Sequence, residues 1–294
     1  MTPAQPGAAA DLSPQACSGS SVAAGEPLAG SAPVASAWIV LEDPGPWGRD
    51  PLVDSALAGT VGELCRELQE SCSIRTIAAR HASRRRLAPA QPRNVWLAVS
   101  TPGGGRIRQV LTSSVNEIHE WNLRGMANGE LPPVGRLLEG RMEFICTHSG
   151  RDACCAVLGR AAALARPNAW ECSHLGGHRF AATSLVLPDA ACFGRLSPAA
   201  TGEADTAHLR GACHLPPDLQ VAEIAVRTHL GTDPFSPLWT VPDTARGPGH
   251  ARVSDARGQT WSVRCQQRTL VRRASCLADP TQTSIWEAVS VTSV

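Results

Sequence analysis

Residues 143–188 read EFICTHSGRDACCAVLGRAAALARPNAWECSHLGGHRFAATSLVLP. Two cysteines separated by eight residues, Cys146 and Cys155, precede two histidines separated by three, His174 and His178. Thiolate and imidazole are ligands for zinc, copper and iron–sulfur groups. A histidine pair or a cysteine pair alone occurs often by chance, but both on turn-forming segments in one short stretch read as a two-part metal site. The helical H-E-x-x-H metalloprotease pattern is excluded, because Leu175 stands where the general base would be.

The local pattern around each half predicts how the ligands are presented. Met142–Ile145 reads as a strand ending at Cys146, and Thr147–Arg151 as a loop. Asp152 is a helix cap, with apolar Val157, Ala161 and Leu164 at helical spacing. Cys155 then lies in the first helical turn, where N–H groups and the helix dipole favour a thiolate. Gly176 and Gly177 between the histidines rule out one continuous helix there. Instead we read a short strand over Ala169–Cys172, a ligand loop, and a hairpin of Thr183–Leu187 and Cys192–Leu196 turning at Pro188–Asp189. Cys172 and Cys192 read as small core residues.

The strings CTHSGRDACC, WECSHLGGHRF and LVLPDAACFGRL, with PGPWGRD upstream, resemble the sucrase/ferredoxin-like family, related to thioredoxin-like 2Fe-2S ferredoxins. The similarity extends from about Ala37 to the C-terminus with decreasing sharpness. It implies a 2Fe-2S cluster held by Cys146, Cys155, His174 and His178. Cys154 is the alternative to Cys155; family members with a single cysteine here place it three residues after the Asp, at Cys155. Nothing in the residues indicates sugar hydrolysis.

At 294 residues the chain is long enough for one large domain or two lobes. A net charge of +1 gives no global field for nucleic acid or an acidic membrane surface, and no long apolar run suggests a membrane span. Eleven cysteines are too dilute for a disulfide scaffold, so a reducing cytoplasm is expected.

Residues 1–35, rich in Ala, Gly, Pro and Ser, are expected to be a disordered leader. Residues 36–136 read as an N-terminal α/β lobe. Its elements are a strand at Ala37–Glu42, a helix from Pro51 to about Glu70 capped by Asp50, strands at Ile74–Ala78, Val95–Ser100 and Arg106–Leu111, and a helix over Ser114–Met126. Trp47 is expected as a packing anchor, and Arg84–Arg86 as a solvated loop. TPGGGR is a turn; it lacks the Lys-Ser or Lys-Thr of a phosphate-binding loop. Residues 137–230 read as a thioredoxin-like cluster-binding lobe closed by helices at Ala199–Gly211 and Asp218–Leu230. Residues 231–294 read as a small C-terminal β extension covering one edge. The expected class is therefore α/β, a thioredoxin-like lobe preceded by a second one.

The expected function is electron transfer between partner proteins, a reductase and an acceptor, with Arg151 as a candidate hydrogen-bond donor to the site. Two alternatives stand beside it: a structural Zn2+ at the same four residues, and a thiol oxidoreductase using Cys154 or Cys155 with His148 as base. The lack of a C-x-x-C pair counts against the last.

Overall fold

A computed structural model of the chain describes residues 15–82, 91–198 and 205–294. Residues 1–14 of the expected leader and the arginine run Arg84–Arg86 lie outside these. Residues 15–35 are not the structureless leader expected: Cys17–Ala23 forms α1, with Cys17 and Ser21 fully buried. Further on, the buried Glu26 carboxylate accepts from Arg179 Nε at 2.9 Å, Arg272 Nε at 3.2 Å and Ser21 Oγ at 2.8 Å. A buried carboxylate is stable only when so paired. Its two arginine partners are more than 150 residues away, which is why composition alone gave no sign of them.

β1 (Ala37–Glu42) is buried along its whole length and serves two cores. Trp38 and Val40 face one, while Ala37, Ile39 and Leu41 face the other. α2 (Pro51–Asp54) and α3 (Thr60–Cys72) cross over to β2 (Ile74–His81), parallel to β1. Asp50 caps α2 as expected, accepting from Leu52 N at 3.0 Å. The single helix expected here is broken after Asp54: Ser55 is extended, and Gly59, with φ +83°, begins α3 anew. β3 (Arg93–Thr101) runs antiparallel to β1, β4 (Gly104–Thr112) to β3, and β5 (Arg136–Leu137) to β4. The helix expected over Ser114–Met126 is two 3-10 segments, Val115–Glu120 and Arg124–Asn128. They are separated by extended Trp121, so that Ile118, Leu123 and Met126 all reach the core.

The second half repeats this order. β6 (Met142–Cys146), α4 (Ala153–Leu164) and β7 (Trp170–Cys172) form a parallel crossover unit, with β8 (Ser184–Leu187) antiparallel to β6. β9 (Ala191–Phe193) and β10 (Leu209–Ala212) extend the sheet outward. Of the helix expected at Ala199–Gly211, residues 199–204 are outside the described set. The remainder is a short 3-10 turn followed by β10, in which Gly211 has φ +144° with the Gln220 side chain where a Cβ would point. The two halves join where β2 pairs antiparallel with β7, making one ten-stranded mixed sheet. Glu171, fully buried at this joint, meets Arg80 Nε at 2.8 Å and also Arg160.

α4 is the helix that the apolar spacing predicts, but its larger apolar residues face outward. Val157 and Leu164 are 47% and 63% exposed, while Gly159, Ala162 and Ala163 are buried. A Cβ on Gly159 would sit 1.9 Å from the Cys146 carbonyl oxygen. The helix therefore lies against the β6 backbone through its smallest side chains, and its larger ones face outward.

α5 (Pro217–Leu230), close to the helix expected, carries a second antiparallel sheet of β11 (Leu238–Pro242), β12 (His250–Asp255), β13 (Thr260–Arg273) and β14 (Pro280–Ser293). Leu219, Ala222 and Val226 pack with Val253, Trp261 and Val263. The C-terminal sheet thus packs on α5; it does not continue an edge of the main sheet. The tip of its β13–β14 hairpin reaches the start of α4, where Cys276 N donates to Asp152 Oδ2 at 3.0 Å. Among the described residues no helix is long and apolar enough to cross a membrane.

Candidate metal centre

β6 delivers Cys146 at its last residue, and the following loop places Cys155 in the first turn of α4. β7, hydrogen-bonded beside β6, delivers His174 two residues past its end. The result is a compact group: His174 Nδ1 lies 3.9 Å from Cys146 Sγ and 3.9 Å from Cys155 Sγ. Both sulfurs are essentially inaccessible, and all three ligand atoms lie within 4.8 Å of one another. The hydrogen bond from Cys155 holds Cys146 well below the usual thiol range despite burial, with His174 adding to the effect, while the same bond and burial push Cys155 up.

His178 is not within that tight group, but its ring stacks on His174 with centroids 5.2 Å apart and planes 24° off parallel. Its Nε2 lies 2.6 Å from the Ala274 carbonyl oxygen. A carbonyl only accepts, so Nε2 carries the proton and Nδ1 presents a lone pair. That Nδ1 is buried without a hydrogen-bond partner among the described residues. Burial keeps the ring's pKa below the ordinary histidine value, opposed by Asp152 at 4.0 Å and by the Ala274 carbonyl.

The supporting residues explain the loop. Gly176 and Gly177 both have positive φ, and a Cβ on Gly177 would meet Arg210 Nη2 at 2.4 Å. Arg210 is buried and donates to the Gly176 carbonyl at 3.0 Å and to Ser31 Oγ at 3.1 Å. His148 accepts from the His174 N–H through Nδ1 at 3.2 Å and donates from Nε2 to the Gly48 carbonyl at 2.9 Å. Trp47, buried as expected, packs edge-on against it at 5.8 Å. His148 and Arg210 therefore position the ligand loop; the sequence flagged His148 only as a possible base and Arg210 not at all. Arg151 is exposed, on the rim of a groove of about 240 Å³ that His174 also lines. Cys172 and Cys192 are both in the apolar core, as expected.

Cys154 stands apart from these groups. Its sulfur meets Cys17 at 3.4 Å and Cys276 at 3.3 Å, beside the Asp152 carboxylate. Hydrogen bonding from Cys17 draws the Cys154 thiol down to about 6, against the effect of burial. No spacing rule could have found a grouping whose three cysteines are 122 residues or more apart.

The family model described as sucrase/ferredoxin-like matches residues 28–204, which include all four predicted ligands and nine of the ten strands of the sheet that carries them. The chain belongs to the sucrase/ferredoxin-like family. No curated protein and no solved structure matches it. The family match begins after α1 and ends before α5, so the C-terminal sheet lies outside it.

Proposed function

We propose that the chain holds a 2Fe-2S cluster through Cys146, Cys155, His174 and His178 and passes single electrons between a reductase and an acceptor protein. The observation that carries this reading is His178, whose buried Nδ1 has no hydrogen-bond partner among the described residues while its Nε2–H is tied to the Ala274 carbonyl. Metal-bound histidines are oriented in this way, by a second ring nitrogen that donates to a carbonyl or carboxylate. When bound, the cluster supplies a one-electron redox couple. The chain's own residues keep both sulfurs from solvent and bring His174 to an open groove. Arg49, Arg66, Arg75 and Arg151 line that groove with Asp50 and Glu70, a rim suited to an acidic partner face.

The repeated strand order supports two thioredoxin-like lobes, 36–136 and 137–230, followed by a β extension over 231–294. All eleven cysteines are free, which suits a reducing cytoplasm. Two thiolates and two neutral imidazoles carry two fewer negative charges than four thiolates. The potential is accordingly expected above the roughly −400 mV of plant-type all-cysteine ferredoxins.

A single Zn2+ at these residues is the second reading, favoured by the close grouping of Cys146, Cys155 and His174. Thiol oxidoreductase chemistry is disfavoured, because Cys154 and Cys155 are both closed to a substrate. Anaerobic purification decides: a red-brown protein with iron and acid-labile sulfide in equal amounts supports the cluster. A colourless, folded protein with zinc at these residues rejects it.

A further inference from the structure

The second cysteine group has the form of a ligand set of its own. The three sulfurs make a nearly equilateral triangle, with Cys17–Cys154 at 3.4 Å, Cys154–Cys276 at 3.3 Å and Cys276–Cys17 at 3.6 Å. Asp152 Oδ1 lies 3.1 Å from Cys276 Sγ and 3.6 Å from Cys17 Sγ, and all four ligand atoms fall within 4.8 Å of one another. We propose that Cys17, Cys154, Cys276 and Asp152 bind one Zn2+ in a structural site of three thiolates and one carboxylate oxygen.

The dimensions suit a single tetrahedral ion. Zn–S bonds of about 2.3 Å place ligand sulfurs about 3.8 Å apart, so the triangle has to open by only a few tenths of an ångström. A disulfide would instead close one side to about 2.05 Å and leave the third thiol beside a buried carboxylate. Three nearly equal sides single out no pair. Thiolates select zinc over hard cations. The carboxylate is already oriented, with Oδ1 accepting from Cys154 N at 2.9 Å and Oδ2 from Cys276 N at 3.0 Å. Ser18 Oγ, 3.4 Å from Cys154 Sγ, is placed to donate to the thiolate. As each Zn–S bond forms, the thiol proton passes to solvent. Three thiolates, one carboxylate and Zn2+ leave a net charge of minus two.

The ligands come from α1, the start of α4 and the tip of the β13–β14 hairpin, so the ion pins both ends of the described chain to the cluster-binding half. Two of its cysteines, Cys17 and Cys276, lie outside the family match. The Ala274 carbonyl that holds His178 is two residues from Cys276. This site stands whether or not Cys146, Cys155, His174 and His178 hold iron.

Metal analysis of the full chain, purified without chelator, tests the proposal. The expected result is one zinc per chain, lost in Cys17→Ser and in Cys276→Ser but kept in Cys146→Ser. Zinc that persists in Cys17→Ser and leaves with Cys146→Ser belongs to the first site and overturns the assignment. A second measurement needs no variant: Cys276 is only partly buried, and in the wild-type chain its alkylation should be slow until a chelator removes zinc. Alkylation unaffected by chelator, or a disulfide joining two of the three cysteines in anaerobically prepared protein, also overturns it.

Discussion

Cys154 and Cys155 are chain neighbours with different destinations. Successive helical residues point about 100° apart, so α4 turns one sulfur toward Cys146 and the other toward Cys17 and Cys276. On the proposed function, Cys155→Ser should remove the visible absorption of the purified protein, while Cys154→Ser should retain it. A reversal would place the iron ligand at Cys154. A second residue-scale expectation concerns His214, whose buried Nδ1 has no hydrogen-bond partner among the described residues. Burial lowers its pKa, opposed by the charge of Glu223, while Arg227 adds to the lowering. The unfolded chain then takes up this proton first, near the ordinary value of about 6.5. The stability gained from neutral His214 is present above that value and is lost as pH falls toward the folded-state pKa. Thermal unfolding followed between about pH 7.5 and 5 should therefore show a shallower acid decline in His214→Gln than in the parent. Parallel profiles would show that His214 does not contribute.

At the scale of one element, α4 shows where hydrophobic periodicity misleads. Val157, Ala161 and Leu164 mark a helix correctly but not its inward face, because the closeness of the β6 backbone admits only Gly159, Ala162 and Ala163. Gly159→Ala gains helix propensity, yet forces its methyl into the Cys146 carbonyl. Overpacking of this kind costs about 1–3 kcal/mol. Val157→Ala on the exposed face should change stability by no more than about 0.5 kcal/mol. Urea titration of both variants checks the ranking, and equal midpoints would mean that α4 is not so closely seated on β6.

For the whole molecule, the joint between β2 and β7 makes two similar halves into one sheet, and Glu171 is its buried charge. Removing one member of a buried ion pair leaves the others uncompensated, at a cost of about 3–5 kcal/mol. Arg80 and Arg160 are partly solvent-exposed and can rehydrate, so Glu171→Ala should fall at the low end, about 3 kcal/mol by denaturant titration. A loss below about 1 kcal/mol would show that the strand pairing holds the halves without the ion pairs. The sequence by itself determined the local signals: the Asp50 and Asp152 caps, the strands ending at Cys146 and Cys172, the turn at Pro188–Asp189, and four candidate ligands on segments that the fold brings together or stacks side by side. These rest on hydrogen bonds and side-chain periodicities spanning a few residues, which a sequence displays directly. It took the folded chain to show that Cys17–Ala23 of the supposed leader forms a helix, that α4 faces inward through its small residues, and that Cys17 and Cys276 meet Cys154. Each depends on which distant backbone lies a few ångströms away, and no local preference for helix, strand or turn encodes that.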